Sequence, residues 1–173
     1  TGFPPHSHAD MEIITYVRSG AITHKDGLGN QGRTLAGDVQ VMSAGSGITH
    51  AEYNLEDEPT EIFQIWIMPR SRGGRPFWGS AQFPKADRAG ALTPLASGFE
   101  ADQAEGALPI RQDARVLAGT ILAGQSVDLP LSHGRMAYVA VAKGAFDIDV
   151  VRLETPDGAA LRELATDKIT ALQ

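Results

Sequence analysis

The sequence predicts an all-β protein, an antiparallel sandwich or barrel. Apolar runs of strand length follow one another with no helical period sustained between them. Turn-formers separate them: 19 glycines in 173 residues exceed the usual share of about 7%, and there are 10 prolines besides. A strand ending in a Gly-Ala turn also recurs at an offset of 124, Ser19-Gly20-Ala21 against Lys143-Gly144-Ala145, which sets Val17 on Val141 and Ile14 on Tyr138.

Residues 11–18 (MEIITYVR) carry the β-branched and aromatic side chains that suit a half-buried pleated surface. Ala21-Ile22-Thr23-His24 continues extended into a loop at 25–32 (KDGLGNQG), whose three glycines and Asn30 are turn chemistry. His24, beside that turn, reads as an exposed hairpin histidine. Leu35-Ala36-Gly37-Asp38 predicts a tight turn before a short strand at 39–42. Small residues at 43–47 (SAGSG) lead into a strand at 48–54, an acidic loop at 56–58 and the most apolar strand, 61–68 (EIFQIWIM).

Residues 70–107 are rich in Gly, Pro, Ala and Arg and hold no period, so they are expected to connect two halves, 1–69 and 108–173. Strand signals return at 115–123 and 136–146. Residues 157–169 predict a short helix, with Asp157 as its N-cap and Leu161 and Leu164 on one side.

Composition narrows the chemistry. Fifteen Lys and Arg against 21 Asp and Glu leave a net charge of −6, which argues against a general binder of nucleic acid or anionic membranes. No run approaches the roughly 20 apolar residues of a membrane span, and no signal peptide opens the chain, so a soluble cytoplasmic protein is expected. With no cysteine there is no disulfide framework, zinc finger or thiolate nucleophile. A transition metal here must be held by histidine and carboxylate. The arginines at 70, 72 and 75 read as a solvated connection. Gly45 and Gly47 open no helix and so form no phosphate loop, and no Ser or Thr completes a nucleophilic triad.

Two pairs carry the functional signal. Side chains alternate along a strand, so His6-Ser7-His8 sets two imidazoles on one face and His50-Ala51-Glu52 sets an imidazole and a carboxylate on one face. Two neighbouring strands bearing these pairs converge on one ion from one side and leave its other positions open. Nitrogen and oxygen donors without sulfur suit Fe, Mn, Ni, Cu, Zn or Co.

The residues Gly2, His6, His8 and Glu12, then Gly37, Gly45, His50 and Asn54, resemble the two cupin motifs. More narrowly, HSHADMEIITYVRSG, HKDGLGNQG, AGDVQVMSAGSGITHAEYN and IFQIWIMP resemble the pirin family near its bacterial quercetin 2,3-dioxygenase-like members. The match is dense over 2–69 and topological over 115–173. The resemblance implies a bicupin with one metal in its N-terminal half, held by His6, His8, His50 and Glu52, with Fe(II) the first candidate. It implies a ligand from the second motif, which leaves Glu12 as an outer group of the kind that orients ligands, or a pocket group. At the offset of 124, Pro130, Ser132 and Met136 stand for His6, His8 and Glu12, so the second half is expected to hold no metal, and His133 reads as a turn or surface residue.

The activity so implied is a dioxygenase acting on a flavonol-like aromatic substrate. Glu52 takes the proton of the substrate hydroxyl, and the electron-rich ring reacts with dioxygen and opens with loss of carbon monoxide. The alternative is a non-enzymatic, metal-bearing pirin that senses ligand or redox state, like family members that serve as cofactors of transcription regulators. The run Ala9-Asp10-Met11-Glu12 lacks the aromatic residue of the eukaryotic motif and favours the enzyme-like branch. Ser7 stands where the family usually has proline. Beginning at Thr1 almost on its ligands and ending at Gln173, the chain is expected to be a bicupin incomplete at both termini, acting as a monomer or homodimer without direct contact to nucleic acid or membrane.

Overall fold

A computed structural model describes residues 1–129, 131–132, 134–162 and 168–172, and the backbone alone at 85 and 87. The chain divides into two compact units, Thr1–Pro84 with Pro94–Leu117, and Lys85–Thr93 with Ala118–Gln173.

The first unit is built on two four-stranded antiparallel sheets. Strands β1 (Gly2–His8), β2 (Glu12–Ser19), β3 (Ala21–Asp26), β4 (Gln31–Leu35), β5 (Val39–Ser43), β6 (Ile48–Tyr53), β7 (Glu61–Ile67) and β8 (Phe77–Ala81) follow in sequence. They are distributed as β1-β6-β3-β4 in one sheet and β7-β2-β5-β8 in the other. Ile14, Val17, Val39 and Val41 of the second sheet are all at 0% exposure. Each such side chain contributes roughly 1.5–3 kcal/mol through burial. Strand β2 is buried on both faces from Glu12 to Thr15, and Thr15, paired with Gln40 and Gln64, stands on the face that meets the other sheet.

The expected connection at 70–107 is more structured than its composition announces. It contains β8, paired with β5 from Val39↔Ala81 to Ser43↔Phe77, a short helix α1 (Glu100–Ala104), and β9 (Thr93–Ser97). Strand β9 is the middle of a small sheet, between β10 (Leu108–Pro109) and β11 (Arg115–Ala118). Leu95, Ala96 and Ser97 are fully buried. Pairing with existing edges gives these segments order that no internal period encodes.

In the second unit, β12 (Ser126–Asp128), β13 (Met136–Ala140), β14 (Ala145–Ile148), β15 (Val151–Glu154), β16 (Gly158–Arg162) and β17 (Lys168–Ala171) enclose a core of Leu129, Val141, Ile148, Leu153, Leu161 and Ile169. The helix expected at 157–169 is not formed among the described residues. Residues 158–162 are strand, antiparallel to β13, and 168–171 pair with β12 and β14; 163–167 lie outside the described residues. Asp157 closes a turn instead of capping a helix, its Oδ2 accepting the Glu154 N–H at 2.9 Å. Alternation sets Leu161 and Ala159 toward the core, so the period is two.

The repeat has a structural counterpart. Gly20 and Gly144 both adopt left-handed φ, +72° and +85°, between successive strands, and Val17 and Val141 are both buried. Its limit is equally visible, since Tyr138 is 74% exposed where Ile14 is sealed. Pro130 and His133 lie outside the described residues. No helix among the described residues is long and apolar enough to cross a membrane.

Candidate metal centre

Three neighbouring strands of one sheet each present an x-spaced polar pair. On β1 it is His6 and His8, on β6 His50 and Glu52, and on β3 His24 and Asp26. Register aligns them: His6 faces His50 across β1/β6, while Glu52 faces His24 and His50 faces Asp26 across β6/β3. Cross-strand partners stand about 4.5–5.5 Å apart at Cβ, so the six side chains form one polar array.

Within it, ligand atoms of His6, His8 and His50 lie within 4.8 Å of one another, and so do those of His24, His50 and Glu52. Of the four residues expected as ligands, the three histidines therefore meet directly, and Glu52 joins through His50. The His50 Nε2 is 3.1 Å from His6 Nε2. His6 Nδ1 donates to the Pro4 carbonyl at 2.7 Å, which leaves its Nε2 for the cluster. Ser7, pointing the other way, hydrogen-bonds Thr49 at 2.7 Å and ties β1 to β6 between the two imidazoles.

The other sheet holds the carboxylate. Gln40 of β5 donates to Glu52 Oε1, and Gln64 of β7 donates to Oε2 at 2.8 Å. Burial pushes the Glu52 carboxyl above its usual range, against the pull of Gln64, His6 and Gln40. Burial lowers His50 to about 3, helped by His6, His24 and His8. It also lowers His8, with His6 adding to the effect. Imidazoles kept neutral are the form that ligates a metal. His6 and His8 are half-buried, whereas His50 and Glu52 are 3% and 2% exposed, so the array opens to solvent on the β1 side. Trp66, 55% exposed, meets His8 edge to face at 5.1 Å on that open side.

One expectation is corrected. His24 is no exposed hairpin residue: it is 0% exposed, stacks on Trp78 at 4.8 Å and 9°, and bonds Asp26 at 3.1 Å. The strand runs on through Lys25 to Asp26, which carries the side chain inward. A Cβ at Gly32 of β4 would collide with the Trp78 indole, so that stack requires glycine there. The signal was present as a third x-spaced pair, His24-Lys25-Asp26. Glu12 is engaged elsewhere. It accepts Ser43 Oγ–H at 2.7 Å and Arg111 N–H at 3.1 Å. The chain changes sheets after His8, at Asp10 with φ +52°, so shared parity with His6 does not place Glu12 beside it. Gln40, Gln64, Trp66 and Trp78 escape sequence reasoning because it does not say which sheets face each other.

The donor set fits a divalent transition ion: neutral imidazole nitrogens gathered from two strands, with a buried carboxylate behind them. A family model described as Pirin matches residues 1–67, and one described as Quercetinase C-terminal cupin domain matches residues 95–173. The chain is 61% identical over 173 residues to a pirin-like protein of Caulobacter vibrioides, covering 100% of this chain and 74% of that one. It is 35% identical over 162 residues to an Escherichia coli K12 protein named quercetin 2,3-dioxygenase, covering 92% of this chain and 67% of that one. The crystal structure of the E. coli pirin YhhW in complex with nickel(II) matches with a TM-score of 0.84 at 34% identity, over 97% of this chain and 69% of the other. Fold, motifs and identity along its whole length agree: the chain belongs to the pirin family and has its bicupin fold.

Proposed function

We propose that this chain is a metal-dependent dioxygenase that opens a flavonol-like aromatic ring with dioxygen and releases carbon monoxide. His6, His8, His50 and Glu52 hold a single divalent ion, with Fe(II) the first candidate. When bound, such an ion supplies Lewis acidity and a template on which substrate and dioxygen meet.

The observation that carries this reading is the convergence of His6, His8 and His50 on the solvent-open side of a buried carboxylate. The three imidazoles bind. Glu52, whose proton affinity burial raises, alternates between ligand and base and accepts the proton of the substrate hydroxyl at one of its oxygens. Gln40 and Gln64 keep that carboxylate in one orientation. The exposed indole of Trp66 beside His8 offers a flat apolar wall for an aromatic substrate. The names of the E. coli relatives support the reaction class and the presence of a metal.

One observation favours a second reading, a metal-bearing sensor without turnover. Both Glu52 oxygens already accept amide hydrogens, which restrains a group that must take and release a proton. Oxygen uptake and carbon monoxide release by the metal-loaded chain with a flavonol panel separate the two. Turnover that Glu52→Gln abolishes at normal metal content supports the enzyme; metal binding without uptake supports the sensor.

A further inference from the structure

We propose that Asp26, acting through His24, fixes the proton of His50 on Nδ1 and so turns its Nε2 lone pair toward His6 and His8. The consequence for metal binding rests on the reading above; the proton arrangement itself does not.

Asp26 Oδ1 accepts the N–H groups of Leu28 at 2.9 Å and Asn30 at 3.0 Å, and Oδ2 accepts Asn30 Nδ2 at 2.8 Å. A carboxylate surrounded by donors acts only as an acceptor. Its remaining partner, His24 Nε2 at 3.1 Å, must therefore carry the hydrogen. A neutral imidazole has one N–H, so His24 Nδ1 is bare. That bare nitrogen faces His50 Nδ1 at 3.4 Å. Two lone pairs would repel there, so His50 Nδ1 bears hydrogen and His50 Nε2 is bare.

His6 reaches the same state independently, because the Pro4 carbonyl can only accept from its Nδ1. Two bare Nε2 atoms then face each other at 3.1 Å, an arrangement that a cation between them turns from repulsive to attractive. Full burial of His24 under Trp78 keeps water from competing for its nitrogens. Both nitrogens of His24 are engaged, Nε2 by Asp26 and Nδ1 by His50, which makes it a positioning residue for His50. Partners of this kind fix the ring orientation of metal-binding histidines.

The test is long-range proton–nitrogen NMR of the full, metal-free chain with labelled imidazoles, followed by Ni(II) titration of variants. The wild type is expected to carry hydrogen on His50 Nδ1 and on His24 Nε2. Asp26→Asn sets an amide donor against His24 Nε2 and is expected to invert both rings. His24→Phe keeps an aromatic ring over Trp78 and removes the acceptor. Each variant is expected to lose Ni(II) affinity by roughly 10- to 100-fold while unfolding cooperatively. His24→Asn, with an amide oxygen near the former Nδ1, is expected to recover part of it. A wild-type His50 with its hydrogen on Nε2, or evenly shared, overturns the proposal. So does undiminished affinity in both folded variants, or a second equivalent of metal that His24→Phe removes. Should neither variant fold, the wild-type spectrum decides alone.

Discussion

Gln64 Nε2 donates to Glu52 Oε2 across 2.8 Å, joining side chains from the two sheets of the first unit. Gln64 is thus both a packing residue and the clamp on a buried carboxylate. Replacing it by leucine leaves Oε2 without that donor at a residue 2% exposed. Leaving a buried acceptor unpaired costs about 1–3 kcal/mol. Urea unfolding of the metal-free chain at pH 7 is expected to show a loss of that size for Gln64→Leu. A change below about 0.5 kcal/mol, the range of an ordinary surface substitution, contradicts the role.

Trp66 lies on the open side of the array, its ring 5.1 Å from that of His8 and perpendicular to it. If it forms the substrate wall, Trp66→Ala raises KM for a flavonol and leaves kcat nearly intact. Aromatic packing is worth about 0.5–1.5 kcal/mol beyond area, a KM rise of roughly two- to tenfold. Trp66→Phe is expected to restore most of it. Steady-state oxygen uptake checks both, and an unchanged KM in Trp66→Ala removes the residue from the binding site.

Asp102 gives the first unit an acid-sensitive tie. Arg115 donates to it at 2.6 and 3.3 Å and Ser97 Oγ–H at 2.5 Å, and these bonds hold its carboxyl below the usual range. The folded value is lower than the unfolded one, so the unfolded state binds more protons as pH falls. The stabilisation is complete above the ordinary carboxylate value of 3.8 and is lost as pH falls through the lower folded value. Arg115 is 40% exposed, so Asp102→Asn is expected to cost only about 1 kcal/mol at pH 7 and to flatten the acid limb of Tm. An acid limb identical to wild type rules the tie out.

Much of this was legible. The run 61–68 became β7 and 11–18 became β2 within one or two residues, because β-branched and apolar density identifies a strand whatever it packs on. The pairs His6/His8 and His50/Glu52 were readable from period two alone. His24 looks exposed in the sequence because Gly27 and Gly29 set a turn beside it, whereas the turn begins only after Asp26, the last residue of β3. The clamps on Glu52 were invisible for a different reason. Alternation says that Gln40 and Gln64 share a face with apolar neighbours, but only the pairing of the sheets shows what that face meets. At 157–169 two leucines three apart fit a helix, but Leu161 enters the core of the second unit at strand spacing, and Leu164 lies outside the described residues.

The central claim is that four side chains of the first unit hold one metal ion. The most direct measurement is anomalous diffraction from crystals of this chain loaded with Zn(II). The account predicts a single peak roughly 2.0–2.2 Å from nitrogens of His6, His8 and His50 and an oxygen of Glu52. An empty site at saturating metal, or a peak held by His24, His50 and Glu52 with His6 and His8 unbound, contradicts it.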